Sequence, residues 1–212
     1  MAEPAVIARS PITPAEPPSV VDGWEVSGRR SGAGLTLVDC MPLAKILVRA
    51  APDGAVGRWL GTPFGRAGTN PDGVLVTGSG PDEWTLFGPH GSGRALVGAV
   101  EDLSGERELV SALDVTHGRT LMRLTGAAAR PLLSKLCAVD LGNAVSPNSA
   151  VFRSSVAKVI TDVVRDDRSG VPSYLVHCER SYGSYLFGAL LDAGAEFGIE
   201  VDGYTSTEMR GV

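Results

Sequence analysis

The chain has 212 residues, 43% of them hydrophobic and 20% charged, with a net charge of −5; that supports a packed core and excludes the basic face on which nucleic-acid binding depends. No apolar run approaches the roughly 20 residues that cross a bilayer, so no membrane span is expected and the cytoplasm is the default location. Cys40, Cys137 and Cys178 lie far apart in apolar settings without a CxxC pair, and they read as buried thiols rather than metal or redox groups.

Residues 1–22 hold Pro4, Pro11, Pro14, Pro17 and Pro18. They cannot form a regular helix or a central strand, and with no apolar core segment they are not a secretory signal. The segment is expected to be a disordered leader or an extended arm laid on a partner, with Val6, Ile7 and Ile12 as its apolar contacts.

A first half is placed at residues 23–105. LTLVDC (35–40) and AKILVRA (44–50) have strand composition. GAVGRWLG (54–61) is glycine-rich for a helix, and 62–73 reads as loop. VLVTG (74–78) and EWTLFG (83–88) pair across Ser79-Gly80-Pro81-Asp82. Residues 92–105 carry apolar side chains at 3,4 spacing and read as an amphipathic helix ended by Gly105.

A second half is placed at residues 106–202. ELVSALDVT (108–116) and GRTLMRLTG (118–126) read as strands, the second with Leu121 and Arg123 on one face and Met122 and Leu124 on the other. AAARPLLSKLC (127–137) reads as a helix with Pro131 in its first turns. Strands follow at 150–156, 158–166 and 173–179. The last helix spans 182–198, with Ser181 as its cap, Gly198 as its stop and Tyr185, Leu186, Ala189, Leu190 and Ala193 on its buried face. Residues 203–212 read as a frayed tail. Helices mix with antiparallel hairpins without strict alternation, so the class is α+β. Each half ends on a helix after a strand pair, the outline of a loose internal repeat.

Motifs for self-sufficient chemistry are absent from the sequence: no phosphate loop, no GxGxxG between strand and helix, no GxSxG and no HExxH. DVTHGRT (114–120) gathers Asp114, Thr116, His117 and Arg119, and a His beside a carboxylate is a candidate base. The plainer reading is a polar turn whose Asp and Thr bond backbone amides. His177 reads as a sheet-surface or partly buried residue. Asp162 and the VRDDRSG run (164–170) read as a solvated hairpin tip. Glu83 beside Trp84 is a lone carboxylate next to an aromatic, more often structural than catalytic. No catalytic and no metal residue is assigned.

GPDEWTLFGP (80–89), the DVTHGR hairpin, the LTGAAAR helix start, CAVDL (137–141) and the RSY helix (180–182) occur in an order and spacing that resembles the gamma subunit of heterotetrameric sarcosine oxidase, over roughly residues 35–200. The resemblance implies ferredoxin-like sandwich units of mixed or antiparallel sheet, similar to the folate-binding domains of aminomethyltransferases. It implies a non-catalytic subunit that binds no cofactor itself. Its partners would be alpha, beta and delta subunits carrying FAD, FMN, NAD, tetrahydrofolate and zinc, in an enzyme that demethylates sarcosine to glycine with release of hydrogen peroxide and formation of 5,10-methylenetetrahydrofolate. The domain would cover 23–202. By the same resemblance Glu83 bonds at a strand end or a subunit contact. The alternative is a stand-alone folate-binding protein of aminomethyltransferase type, with Glu83 or Asp114 gripping the pterin and His117 and Arg119 nearby; it requires a pocket lined by these groups.

Overall fold

The computed structural model describes residues 6–105 and 108–206. Its architecture is four layers: helices, a five-stranded sheet, a six-stranded sheet, helices. The five-stranded sheet is antiparallel throughout. Its order is Ala67–Thr69 (β6), Leu75–Gly80 (β7), Glu83–Gly88 (β8), Ala44–Arg49 (β5) and Ser111–Asp114 (β9). The six-stranded sheet runs Val151–Val156 (β11), Val159–Arg165 (β12), Ser173–Glu179 (β13), Arg119–Gly126 (β10), Leu35–Asp39 (β4) and Glu200–Asp202 (β14), with only β14 parallel to its neighbour.

Three apolar clusters separate the layers. Helices Ala55–Leu60 (α1) and Gly93–Leu103 (α2) put Val56, Leu60, Leu96 and Val100 against Ile46, Val48, Trp84 and Leu86. Helices Ala129–Leu136 (α3) and Gly183–Gly194 (α4) put Leu132, Leu133, Leu186 and Leu190 against Leu37, Met122, Leu124 and Val176. Between the sheets lie Leu75 and Phe87 from one and Val38, Leu121, Val164 and Leu175 from the other. Strand β10 is therefore covered on both faces, which is why its alternating residues are nearly all buried.

The strand positions match the sequence reading closely, except that Ala67–Thr69 (β6) lies in the stretch 62–73 read as loop, and five further expectations need correction. The boundary at 105/106 does not divide the sheets. Strand β4, from the first half, pairs with β10 in the six-stranded sheet, and β9, from the second half, pairs with β5 in the five-stranded one. The described part of the leader is also ordered on its own chain. Ala8–Arg9 (β1) and Pro18–Val21 (β2) flank Trp24–Ser27 (β3), parallel and antiparallel respectively, and Ile12 is buried in the core. Asp22 and Gly23 both have positive φ, the geometry of a tight hairpin between β2 and β3. The prolines fall between strands or at the start of an edge strand, where no ladder donor is needed. Pro4, with the rest of residues 1–5, lies outside the described residues.

The tail is likewise held at its start, by β14 and by a buried Tyr204; residues 207–212 lie outside the described residues. Finally, residues 54–61 do contain a helix. The glycine that argued against it, Gly57, is required: a Cβ there would lie 2.4 Å from the Ala51 carbonyl oxygen. In α4, a 3-10 turn over Arg180–Tyr182 leads in, no side chain caps the helix, and Phe187 is buried while Tyr185 is exposed. Ser181 is thus not a cap.

Candidate functional site: a charged cavity between the sheets

The β7–β8 hairpin answers to strand alternation. Trp84 points into the helix-side core, with its indole N–H donating to the Thr62 carbonyl at 2.6 Å, while Glu83 projects the opposite way. Directly across the ladder from Glu83 stands Arg49, and their side chains pair at 2.7 Å. The other Glu83 oxygen accepts from Arg153 of the second sheet at 3.0 Å. Arg153 faces Asp162 across β11 and β12 and donates to both its oxygens, at 2.6 and 3.1 Å. Asp162 also accepts from Arg119 at 3.2 Å, and Arg119 pairs with Glu179, its cross-strand neighbour. Arg49, Glu83, Arg153, Asp162, Arg119 and Glu179 thus form one alternating chain that bridges the two sheets, built from three cross-strand pairs.

This chain borders a cavity of about 610 Å³. Leu47, Arg49, Glu83 and Thr85 line it from one sheet; Arg119, Arg153, Asp162, His177 and Glu179 line it from the other; Lys158, Ile160 and Tyr182 stand at its margin. His177 is opposite Asp162 in register and only 2% exposed. Its Nδ1 lies 3.8 Å from an Asp162 oxygen, beyond hydrogen-bond reach, and neither ring nitrogen has a hydrogen-bond partner. Burial pushes the imidazole down to about 4, so it is neutral at pH 7. For Asp162, burial favours the protonated acid, but the charge of His177, which is protonated at the low pH where this carboxyl titrates, and the Arg153 guanidinium outweigh it and hold the carboxyl at about 2. Glu83 is likewise lowered, against its burial, by Arg153 and Arg49.

Two of the four candidate residues meet here, Glu83 and Arg119. The other two do not. The Asp114 carboxylate accepts from the Thr116 amide at 2.9 Å, and the Thr116 hydroxyl accepts from the Lys45 amide at 3.0 Å, so this stretch is a side-chain-stabilised turn. Asp114 borders a separate hollow of about 430 Å³ beside α2. The His117 ring stacks on Trp24, centroids 4.9 Å apart.

Asp162 and His177 correct the sequence reading. Both are buried cavity residues, because each sits on the inner face of a strand near the centre of a sheet that is covered on both sides. The tip beyond them is ion-paired rather than merely solvated: Arg165 pairs with Asp167 at 2.9 Å, and Asp166 with Arg123 at 2.8 Å. Arg49 and Arg153 were not singled out in the sequence. The signal that finds them is register, since each stands opposite an acid once the strands are paired. Another buried group, Lys45, donates through Nζ to the Met41 and Leu43 carbonyls, and burial lowers it to about 7. The three cysteines are buried as expected. Among the described residues no group of three or more His, Cys, Asp or Glu is placed to hold a metal, and no helix is long and apolar enough to cross a membrane.

Residues 71–196 match the family described as "Sarcosine oxidase, gamma subunit family". Sarcosine oxidase subunit gamma of an Arthrobacter species is 31% identical over 151 residues, 70% of either chain. The subunit gamma of Corynebacterium sp. (strain P-1) is 29% identical over 149 residues, 69% of either chain. An aminomethyltransferase of Geobacillus thermodenitrificans is 32% identical over 134 residues, 63% of this chain and 35% of that protein. Among solved structures, a chain of the heterotetrameric sarcosine oxidase from Corynebacterium sp. U-96 superposes with a TM-score of 0.67 at 24% identity, covering 79% of this chain and 88% of that one. Aminomethyltransferase T of Bartonella henselae superposes with a TM-score of 0.65 at 17% identity, covering 88% and 55% respectively. The α+β class and the likeness to aminomethyltransferase domains expected from the sequence are both found.

Proposed function

The chain belongs to the sarcosine oxidase, gamma subunit family, and from that membership we propose that it is a non-catalytic subunit of a heterotetrameric, flavin-dependent sarcosine oxidase. The observation that carries this reading is the 31% identity to a sarcosine oxidase subunit gamma over 70% of both chains. In this reading the alpha, beta and delta subunits are the partners, they carry FAD, FMN, NAD, tetrahydrofolate and zinc, and the assembly is cytoplasmic. The ion-pair chain supports the non-catalytic part: both oxygens of Glu83 and both of Asp162 already accept from arginines. Exposed Ile160, Tyr182, Tyr185 and Leu113 support a role in assembly. The test is a pull-down from the native cell with this chain as bait. Co-purification of larger flavin-bearing chains with sarcosine-dependent peroxide production is expected; a colourless, solitary protein overturns the reading.

A stand-alone folate-binding protein draws support from one observation, that Glu83 and Arg119 line a common cavity. Against it, Asp114 and His117 lie outside that cavity, and Glu83 would have to exchange an arginine for a pterin. Saturable tetrahydrofolate binding by the isolated chain, lost in Glu83→Gln, is the result this reading demands.

A further inference from the structure

We propose that the cavity between the sheets is a binding site for a small organic monoanion with an apolar body, its carboxylate meeting Arg153 and Lys158 and a polar atom at its far end bonding His177. The charges of the lining decide the sign of the ligand. Four cations, Arg49, Arg119, Arg153 and Lys158, face three carboxylates, Glu83, Asp162 and Glu179, which leaves one positive charge in excess on a chain whose net charge is −5. Hydrogen bonding points the same way. The buried carboxylates are filled: Glu83 accepts from Arg49 and Arg153, and Asp162 from Arg153 twice and Arg119 once.

The cations are not filled. A guanidinium has five N–H groups, and among the described residues Arg153 spends only those on Nε and Nη2. Lys158, at the margin, is exposed. Among the lining carboxylates described, only the exposed Glu179, paired with Arg119 through one oxygen, keeps an acceptor for a cationic ligand, whereas an anion finds donors waiting on Arg153 and Lys158.

His177 is the second, independent observation. It lines the cavity, is 2% exposed, and has two nitrogens without a partner. A neutral imidazole offers one donor and one acceptor, and buried polar groups are almost always satisfied. The cavity beside it supplies the room for a partner. Leu47 and Val159 give the walls their apolar character, with the exposed Ile160 at the margin. A volume of about 610 Å³ lies within the range of small-molecule sites.

The test uses the full chain and 4-hydroxybenzoate, which carries a carboxylate, a ring and a distal hydroxyl. Binding is followed by calorimetry and by the ¹⁵N resonances of the imidazoles, with His177→Gln assigning the relevant pair. Saturable binding that shifts the His177 resonances and weakens about tenfold in Lys158→Gln, through loss of one charge-assisted contact, is expected. Lys158→Gln alters only an exposed side chain, so it keeps the test valid even where the buried His177 variant folds poorly. The proposal is overturned if 4-hydroxybenzoate does not bind saturably, if 4-hydroxybenzylamine binds as tightly, or if Lys158→Gln and the His177 resonances are both indifferent. It concerns the chain by itself and is decided independently of any assembly.

Discussion

At the scale of single residues, the cavity sets an acid limit on stability. His177 titrates at about 4 in the fold against an ordinary 6.5, so the unfolded chain takes up its proton first. Stability is therefore lost as pH falls from about 6.5 toward 4, by roughly 3 kcal/mol if the whole shift is realised. Asp162 acts lower down. Its folded value of about 2 lies below the ordinary 3.8, so its contribution is intact above that ordinary value and disappears as pH falls toward the folded one, on the order of 2 kcal/mol. Urea unfolding of wild type and His177→Gln between neutral pH and pH 4 separates the two groups. The wild type should lose stability over the upper window and the variant should lose markedly less; parallel curves would show that His177 is not buried neutral. Neither residue was legible as a cavity group. In sequence, Asp162 sits two positions before the charged VRDDRSG run and His177 alternates with apolar neighbours, and both patterns suit a solvated face. What buries them is the second sheet, a partner far away in the chain. Glu83 was legible as a carboxylate to watch because it follows a turn and precedes a Trp, but its arginines appear only once the strands are paired.

At the scale of elements, most strands could be placed from composition and from turn residues, such as Gly34, Pro42, Gly73, Gly118 and Pro172 just before them. The exceptions have local causes. Helix α1 was obscured by glycines that are needed for close approach to the preceding turn. The leader was obscured by prolines, whose effect is to separate its short strands rather than to keep it unfolded. Close approach also explains Gly78, in a strand that would ordinarily disfavour glycine. The segment 63–66 crosses over β7 at that point, and a Cβ on Gly78 would lie 2.3 Å from the Pro63 carbonyl oxygen. Gly78→Ala must push that backbone away, and with it the neighbouring Thr62 carbonyl that accepts from the Trp84 indole. Overpacking of this kind costs about 1–3 kcal/mol, and here a buried hydrogen bond is at risk as well. Denaturant unfolding should show the loss, and tryptophan fluorescence should report the altered Trp84 environment. Unchanged stability and spectrum would mean that the crossing segment yields freely.

At the scale of the whole molecule, the sequence suggested two successive halves, and the fold shows why that division fails. Each sheet borrows one strand from the other half. Strand β4 sits between β10 and β14, so the six-stranded sheet is interrupted without it. Strand β9 covers the open side of β5, pairing Leu47 with Leu113 and Val48 with Ala112. Such exchanges are invisible to periodicity, which reports the face a residue occupies but not the strand beside it. The inter-sheet cluster reinforces the exchange, because its apolar side chains come from both sheets and neither can bury them alone. The ion-pair chain adds a polar tie across the same interface, at Glu83 and Arg153. A chain cut between residues 105 and 106 should therefore yield two fragments that fail to fold separately. Each would carry a strand without its neighbours and would expose half of the shared core. Mixed in equal amounts, the fragments should regain strand circular dichroism and dispersed amide resonances, since every pairing is restored in the complex. A fragment of residues 1–105 that folded by itself, with cooperative unfolding, would show instead that the five-stranded sheet is an autonomous unit and that the exchanged strands are an addition to it rather than part of its core.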